Sequence, residues 1–129
     1  MPNDREDLEF QISFFEGVLR RQPESVQALS ALGEAYTCVG KFRQGLAVDQ
    51  QLARLRPNDP VVHYNLACDY SLLKQTAPSI RALERALRLG YDDFDLLEND
   101  PHLNYVRRSV RYKELLAKAF AQRQKSNEL

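Results

Sequence analysis

Residues 32–36, LGEAY, return as LACDY at 66–70, and the 34-residue interval between them decides how the whole chain reads. Leu32 aligns with Leu66, Gly33 with Ala67 and Tyr36 with Tyr70. The same interval carries Leu46 onto Ile80, Leu52-Ala53-Arg54 onto Ala86-Leu87-Arg88 and Leu55 onto Leu89. It also runs backwards, from Pro57 to Pro23 and from Leu52-Ala53-Arg54 to Val18-Leu19-Arg20. A fixed period of this length marks a stack of repeated units rather than one closed core.

Each unit reads as two helices. In the first, Leu29, Leu32, Tyr36 and Val39 form one apolar stripe up to the stop at Gly40, and Phe42, Leu46, Leu52 and Leu55 form the next. A connection this short forces the two helices to pack antiparallel. In the second unit Asp59-Pro60 supplies an N-cap and a first-turn proline, and Leu66, Tyr70 and Leu73 carry the stripe. Thr76 is expected to cap the helix that buries Ile80, Leu83 and Leu87 and ends at Gly90. Ahead of the repeats, residues 4–22 form a lone helix with Leu8, Ile12, Phe15 and Leu19 inward, capped by Asn3 or Asp4 and broken by Pro23. Phe10 and Phe14 widen its stripe. After Asp92 the register fails, and Asp100-Pro101 stands where Leu32 and Leu66 stood.

The expected architecture is therefore all-α, a right-handed superhelical stack of antiparallel hairpins in one domain. Its parts are a half-repeat at 4–22, repeats at 26–59 and 60–93, an atypical closing cap at 94–122 that starts its last helix near Ser109, and a frayed polar tail at 123–129.

Composition narrows the function classes. Lys+Arg and Asp+Glu balance at 18 each, so no net field draws the chain to nucleic acid or anionic membrane. No apolar run reaches the roughly 18–20 residues of a membrane crossing. The start, MPNDREDLEF, is acidic and lacks the apolar stretch of a secretory signal. The two cysteines, Cys38 and Cys68, have no paired spacing and suit a reducing cytoplasm as free thiols.

These residues resemble the tetratricopeptide repeat. Its pattern of an apolar residue, Leu-Gly, Tyr, a small residue and Pro is met by Leu29, Leu32-Gly33, Tyr36, Gly45 and Pro57. The second copy meets it with His63, Leu66-Ala67, Tyr70 and Ser79, and has Tyr91 in place of proline. The segment DFDLLENDPHLNYVRRSVRYKELL resembles the tail that closes many short bacterial proteins of this type. The resemblance implies a scaffold for protein–protein interaction. One departure stands out. Asp49 occupies a position that the family fills with a large apolar residue and that the second unit fills with Leu83. A lone buried carboxylate is costly, so Asp49 is expected to turn to the surface or to pair with a nearby donor.

Enzyme chemistry is not expected, and neither is a cofactor or a metal. No nucleophile–base pair, phosphate loop or spaced ligand cluster is visible, and His63 reads as a structural histidine. The acids Asp92, Asp93, Asp95, Glu98 and Asp100 lack calcium-loop spacing and suit helix caps. Seven basic residues after Tyr105 could meet phosphates, but they read as a solvated helix face, which makes nucleic acid an unlikely partner.

The better candidate is the concave side. Helical spacing places Gln27, Ser30, Glu34 and Thr37 there from the first unit, and Val61, Tyr64, Asn65, Cys68, Ser71 and Leu72 from the second. That second set is either a ligand groove or an internal surface, covered by the cap or packed against the first unit. The family's clamp for an acidic C-terminal peptide is broken: Gln27 and Ala31 stand in the first helix and Asp95 and Asn99 in the third, and only Asn65 matches. The expected function is a non-enzymatic adaptor. Its partner segment has an apolar anchor and neutral or basic flanks, and its binding tolerates salt. The alternative is a homodimer or subunit assembled through Phe10, Ile12 and Phe14.

Overall fold

The computed structural model describes residues 4–128, which form helices and short turns with no strand among them. Helix α1 (Arg5–Arg21) is followed by two hairpins, α2 (Val26–Cys38) with α3 (Phe42–Leu55) and α4 (Pro60–Leu72) with α5 (Thr76–Arg88). The closing segment comprises α6 (Phe94–Asn99), a 3-10 turn (Pro101–Leu103), α7 (Asn104–Arg107) and α8 (Val110–Glu128). Packing follows chain order from α1 through α5, as a right-handed stack requires. The 3-10 turn and α7 then fold back onto α4, and α7 and α8 onto α5.

Local chemistry sets the boundaries. Asp4 accepts from the Asp7 backbone N–H, Ser25 from Ala28 and Asp59 from Val61, each satisfying an otherwise orphaned donor. Asn3, the other candidate cap of α1, lies outside the described residues. Gly40 ends the first inner helix at φ 83°, and its equivalent one period on is Lys74 at φ 60°. Thr76 is not the cap of α5. It is the first helical residue, and Gln75 precedes it with no side-chain bond to the backbone. The last helix does not stop at Gln122 but runs to Glu128, because residues 123–128 contain neither glycine nor proline to end it. Leu129 lies outside the described residues.

The period is written into the hydrogen bonds as well as the sequence. Tyr36 donates its hydroxyl to Glu16, and Tyr70 accepts from Gln50, so each inner-helix tyrosine is tied to the residue twenty positions earlier, on the helix before it. Burial first, then Glu16, pushes the Tyr36 hydroxyl up to about 12. The apolar core divides the same way. One cluster joins Leu8 and Ile12 to Leu32, Ala35 and Tyr36, and a second joins Leu29, Leu52 and Val62. The largest joins α4 and α5 to Leu97, Leu103, Val106 and Tyr112 of the cap. The cap is pinned by polar contacts too. Arg107 donates to the carbonyls of Leu97 and Asp100, and the Tyr112 hydroxyl donates to Leu97.

Candidate functional site

The inner faces of α2 and α4 and the returning cap enclose a cleft of about 340 Å³. Of the residues expected there, Ser30, Glu34 and Thr37 line it from α2, and Tyr64, Asn65 and Cys68 from α4. The others lie elsewhere. Gln27 and Val61 are exposed away from the cleft lining, Leu72 is half-buried outside it, and Ser71 is completely buried. Ser71 goes inward because α4 packs against α3, α5 and the cap at once. The fold adds Gly33, Cys38, Asp49, Asp69, Asp100 and His102 to the lining.

Tyr64 borders the cleft without offering it an apolar face. Only 4% of it is exposed, its ring stacks on Tyr91 at 4.4 Å between centroids, and its hydroxyl donates to Asp100 Oδ2 at 2.6 Å. Burial first, then the neighbouring Cys68 and Asp100, holds that hydroxyl far above the ordinary tyrosine range. Tyr91, its stacking partner, is pushed up to about 12, mainly by burial.

Asp49 neither turns outward nor meets a basic donor. It is 7% exposed, and its partner is a second acid, Asp69 of α4, which is 3% exposed. Burial raises both carboxyls, and the neighbouring Asp49 raises Asp69 further. Two neighbouring buried carboxyls favour one shared proton over two charges, and Asp69 Oδ2 is left without a hydrogen-bond partner among the described residues. Gly33 leaves the space: a Cβ there would come within 2.8 Å of Asp49 Oδ1.

At the cap end of the cleft, Cys68, Asp100 and His102 bring one ligand atom each within 4.8 Å of the others. The thiol lies 3.9 Å from Asp100 Oδ2, and His102 Nδ1 lies 3.7 Å from Asp100 Oδ1. Burial first, then the charge of Asp100, pushes the Cys68 thiol well above its usual range. Spacing alone hides this group, since 32 residues separate Cys68 from Asp100 and no motif joins them. The remaining candidate histidine, His63, sits at the other end of α4 and donates from Nε2 to the Pro57 carbonyl at 2.8 Å, a structural use. Cys38 is exposed at the rim, and both cysteines are free.

No protein-family model matches the chain. The solved structure of MamA, residues 41 to the end, from Desulfovibrio magneticus RS-1, is a tetratricopeptide-repeat structure. It superposes on 95% of this chain and 68% of its own with a TM-score of 0.71, at 20% sequence identity. The chain has a tetratricopeptide-repeat fold. Among curated proteins it is similar to a chloroplastic protein of Arabidopsis thaliana, at 32% identity over 103 residues. That match takes in 76% of this chain but only 31% of the plant protein, so the chain spans under a third of its relative's length. Among the described residues no helix is long and apolar enough to cross a membrane.

Proposed function

We propose that the chain is a non-enzymatic adaptor, working in a reducing compartment such as the cytoplasm, that holds a neutral or basic segment of a partner protein in its concave cleft. The observation that carries this reading is the lining: Glu34, Asp49, Asp69 and Asp100 contribute carboxyl groups, and no lysine or arginine lies among the described lining residues. An acidic tail would meet only like charge there. Ser30, Thr37 and Asn65 add neutral hydrogen-bonding groups along the same wall. With the Tyr64 ring committed to Tyr91, the cleft has no deep apolar socket. Charge and hydrogen bonding then carry the docking in place of the apolar anchor, and affinity falls with added salt instead of tolerating it.

Fluorescence anisotropy with labelled lysine- or arginine-bearing peptides and with an acidic C-terminal peptide tests this reading. Basic peptides should bind, more weakly in high salt and more weakly still to Glu34→Lys. Micromolar binding of the acidic peptide, abolished in Asn65→Ala, would establish the carboxylate clamp instead.

A second reading rests on a different surface. Phe10 is 73% exposed and Phe14 56% exposed on α1, whereas Ile12 is buried against α2. A two-fold contact through these rings would cover them. Light scattering at two concentrations distinguishes it, because a constant monomer mass removes the motive.

A further inference from the structure

We infer that Cys68, Asp100 and His102 form a zinc site at the cap end of the cleft, with its fourth coordination position open to the groove. This goes beyond the adaptor reading and does not depend on it. The three side chains reach the site from different elements: Cys68 from α4, Asp100 from the turn after α6, and His102 from the 3-10 turn that folds back over α4. One donor atom from each lies within 4.8 Å of the others; the sulfur is 3.9 Å from Asp100 Oδ2, and the imidazole Nδ1 is 3.7 Å from the other oxygen, Oδ1. Around a tetrahedral zinc, bond lengths of about 2.0–2.3 Å put ligand atoms roughly 3.2–3.6 Å apart, so the widest pair, at up to 4.8 Å, must close by about 1.2–1.6 Å. His102 is exposed, and its ring can close that distance without disturbing the core.

The donor types choose the metal. One sulfur, one imidazole nitrogen and one carboxylate oxygen suit zinc, whereas calcium and magnesium demand six or more oxygens. The surroundings also act as an outer shell. The Tyr64 hydroxyl and the His102 backbone N–H hold the two Asp100 oxygens at 2.6 and 2.9 Å, fixing the carboxylate's orientation. Arg107 donates to the Asp100 carbonyl at 2.9 Å and anchors the turn that carries two of the three ligands. On binding, the Cys68 S–H bond breaks, its proton leaves to solvent, and the thiolate donates its electron pair to the zinc. A water, or a donor from a docked segment, takes the fourth place beside Asn65.

Titration of the reduced full chain with zinc against a chromophoric chelator tests the site, with cobalt(II) as the spectroscopic substitute. One equivalent should bind, and the cobalt form should show tetrahedral d–d bands with a thiolate-to-metal charge-transfer band. Cys68→Ser should abolish that band. His102→Ala, an exposed change that leaves the helical melt intact, should weaken binding about tenfold or more, and Tyr64→Phe about tenfold through the lost outer-shell bond. Absence of stoichiometric binding, a cobalt spectrum without thiolate character, or unchanged affinity in His102→Ala would overturn the assignment.

Discussion

The junction between α3 and α4 and the junction between α5 and the cap are built on one plan and filled in opposite ways. Twenty residues separate Leu83 from Leu103, and both are buried in the cluster that seals the cap. The same spacing separates Asp49 from Asp69, at the equivalent place one period earlier. The first junction, α1 on α2, repeats the apolar version, with Phe15 packed on the cluster that contains Ala35. The middle of the stack therefore holds a pair of carboxyls where its neighbours hold hydrocarbon. Apolar filling stabilises at any pH. A shared proton stabilises only while the proton stays, and two bare carboxylates there would repel at close range with little solvent to screen them.

Exchanging the two fillings breaks the comparison most severely. Leu83→Asp puts one acid at the cap junction, where Leu103 offers no proton. It should destabilise the chain by about 3–5 kcal/mol, as an uncompensated buried charge does. Urea unfolding measures it, and a loss below about 1 kcal/mol would mean that this junction is wetter than Leu83 and Leu103 suggest.

Asp49→Asn sharpens the comparison by replacing the shared proton with a permanent donor. The sign follows from linkage. Both acids titrate above their unfolded value of about 3.9, so the native state holds more protons than the unfolded chain at neutral pH. Their stabilising contribution is complete below about pH 4 and is lost as pH rises towards the elevated native values. The asparagine variant should flatten this slope and gain about 1–2 kcal/mol at about pH 10, where the native pair loses its shared proton and an amide can still donate to Asp69. Urea midpoints at acidic and alkaline pH decide the matter, and an unaltered slope would show that the pair does not hold the proton.

The smallest effect comes from the turns. Gly40 and Lys74 hold equivalent left-handed positions, but only glycine adopts that conformation without a steric penalty. Lys74→Gly should raise stability by up to about 1 kcal/mol, partly offset by the freer unfolded chain. Thermal melts of the single variant suffice.

The repeat period made the hairpins legible, because helical stripes, caps and terminal glycines all agreed on the same 34-residue phase. It also exposed Asp49 as a departure. It could not expose Asp69 as the partner, since Ala35 and Leu103 at the equivalent positions give no hint of an acid being needed. The cleft was half legible for a related reason. Residues on α2 follow from helical spacing alone, but α4 is covered by a cap whose path has no period, which buries Ser71 and the Tyr64 ring. The same fold-back brings Asp100 and His102 to Cys68, a meeting that only tertiary structure creates.

One consequence concerns chain building. The two ends of the stack are unlike: α5 is sealed by Leu97, Leu103 and Val106, whereas α1 presents Phe10 and Phe14 outward. A designer lengthening this molecule would have to splice further hairpins onto the α1 side, where the rings already offer a docking face. The described helices therefore form a stack with a direction, its α5 side sealed by the cap and its α1 side showing two exposed rings.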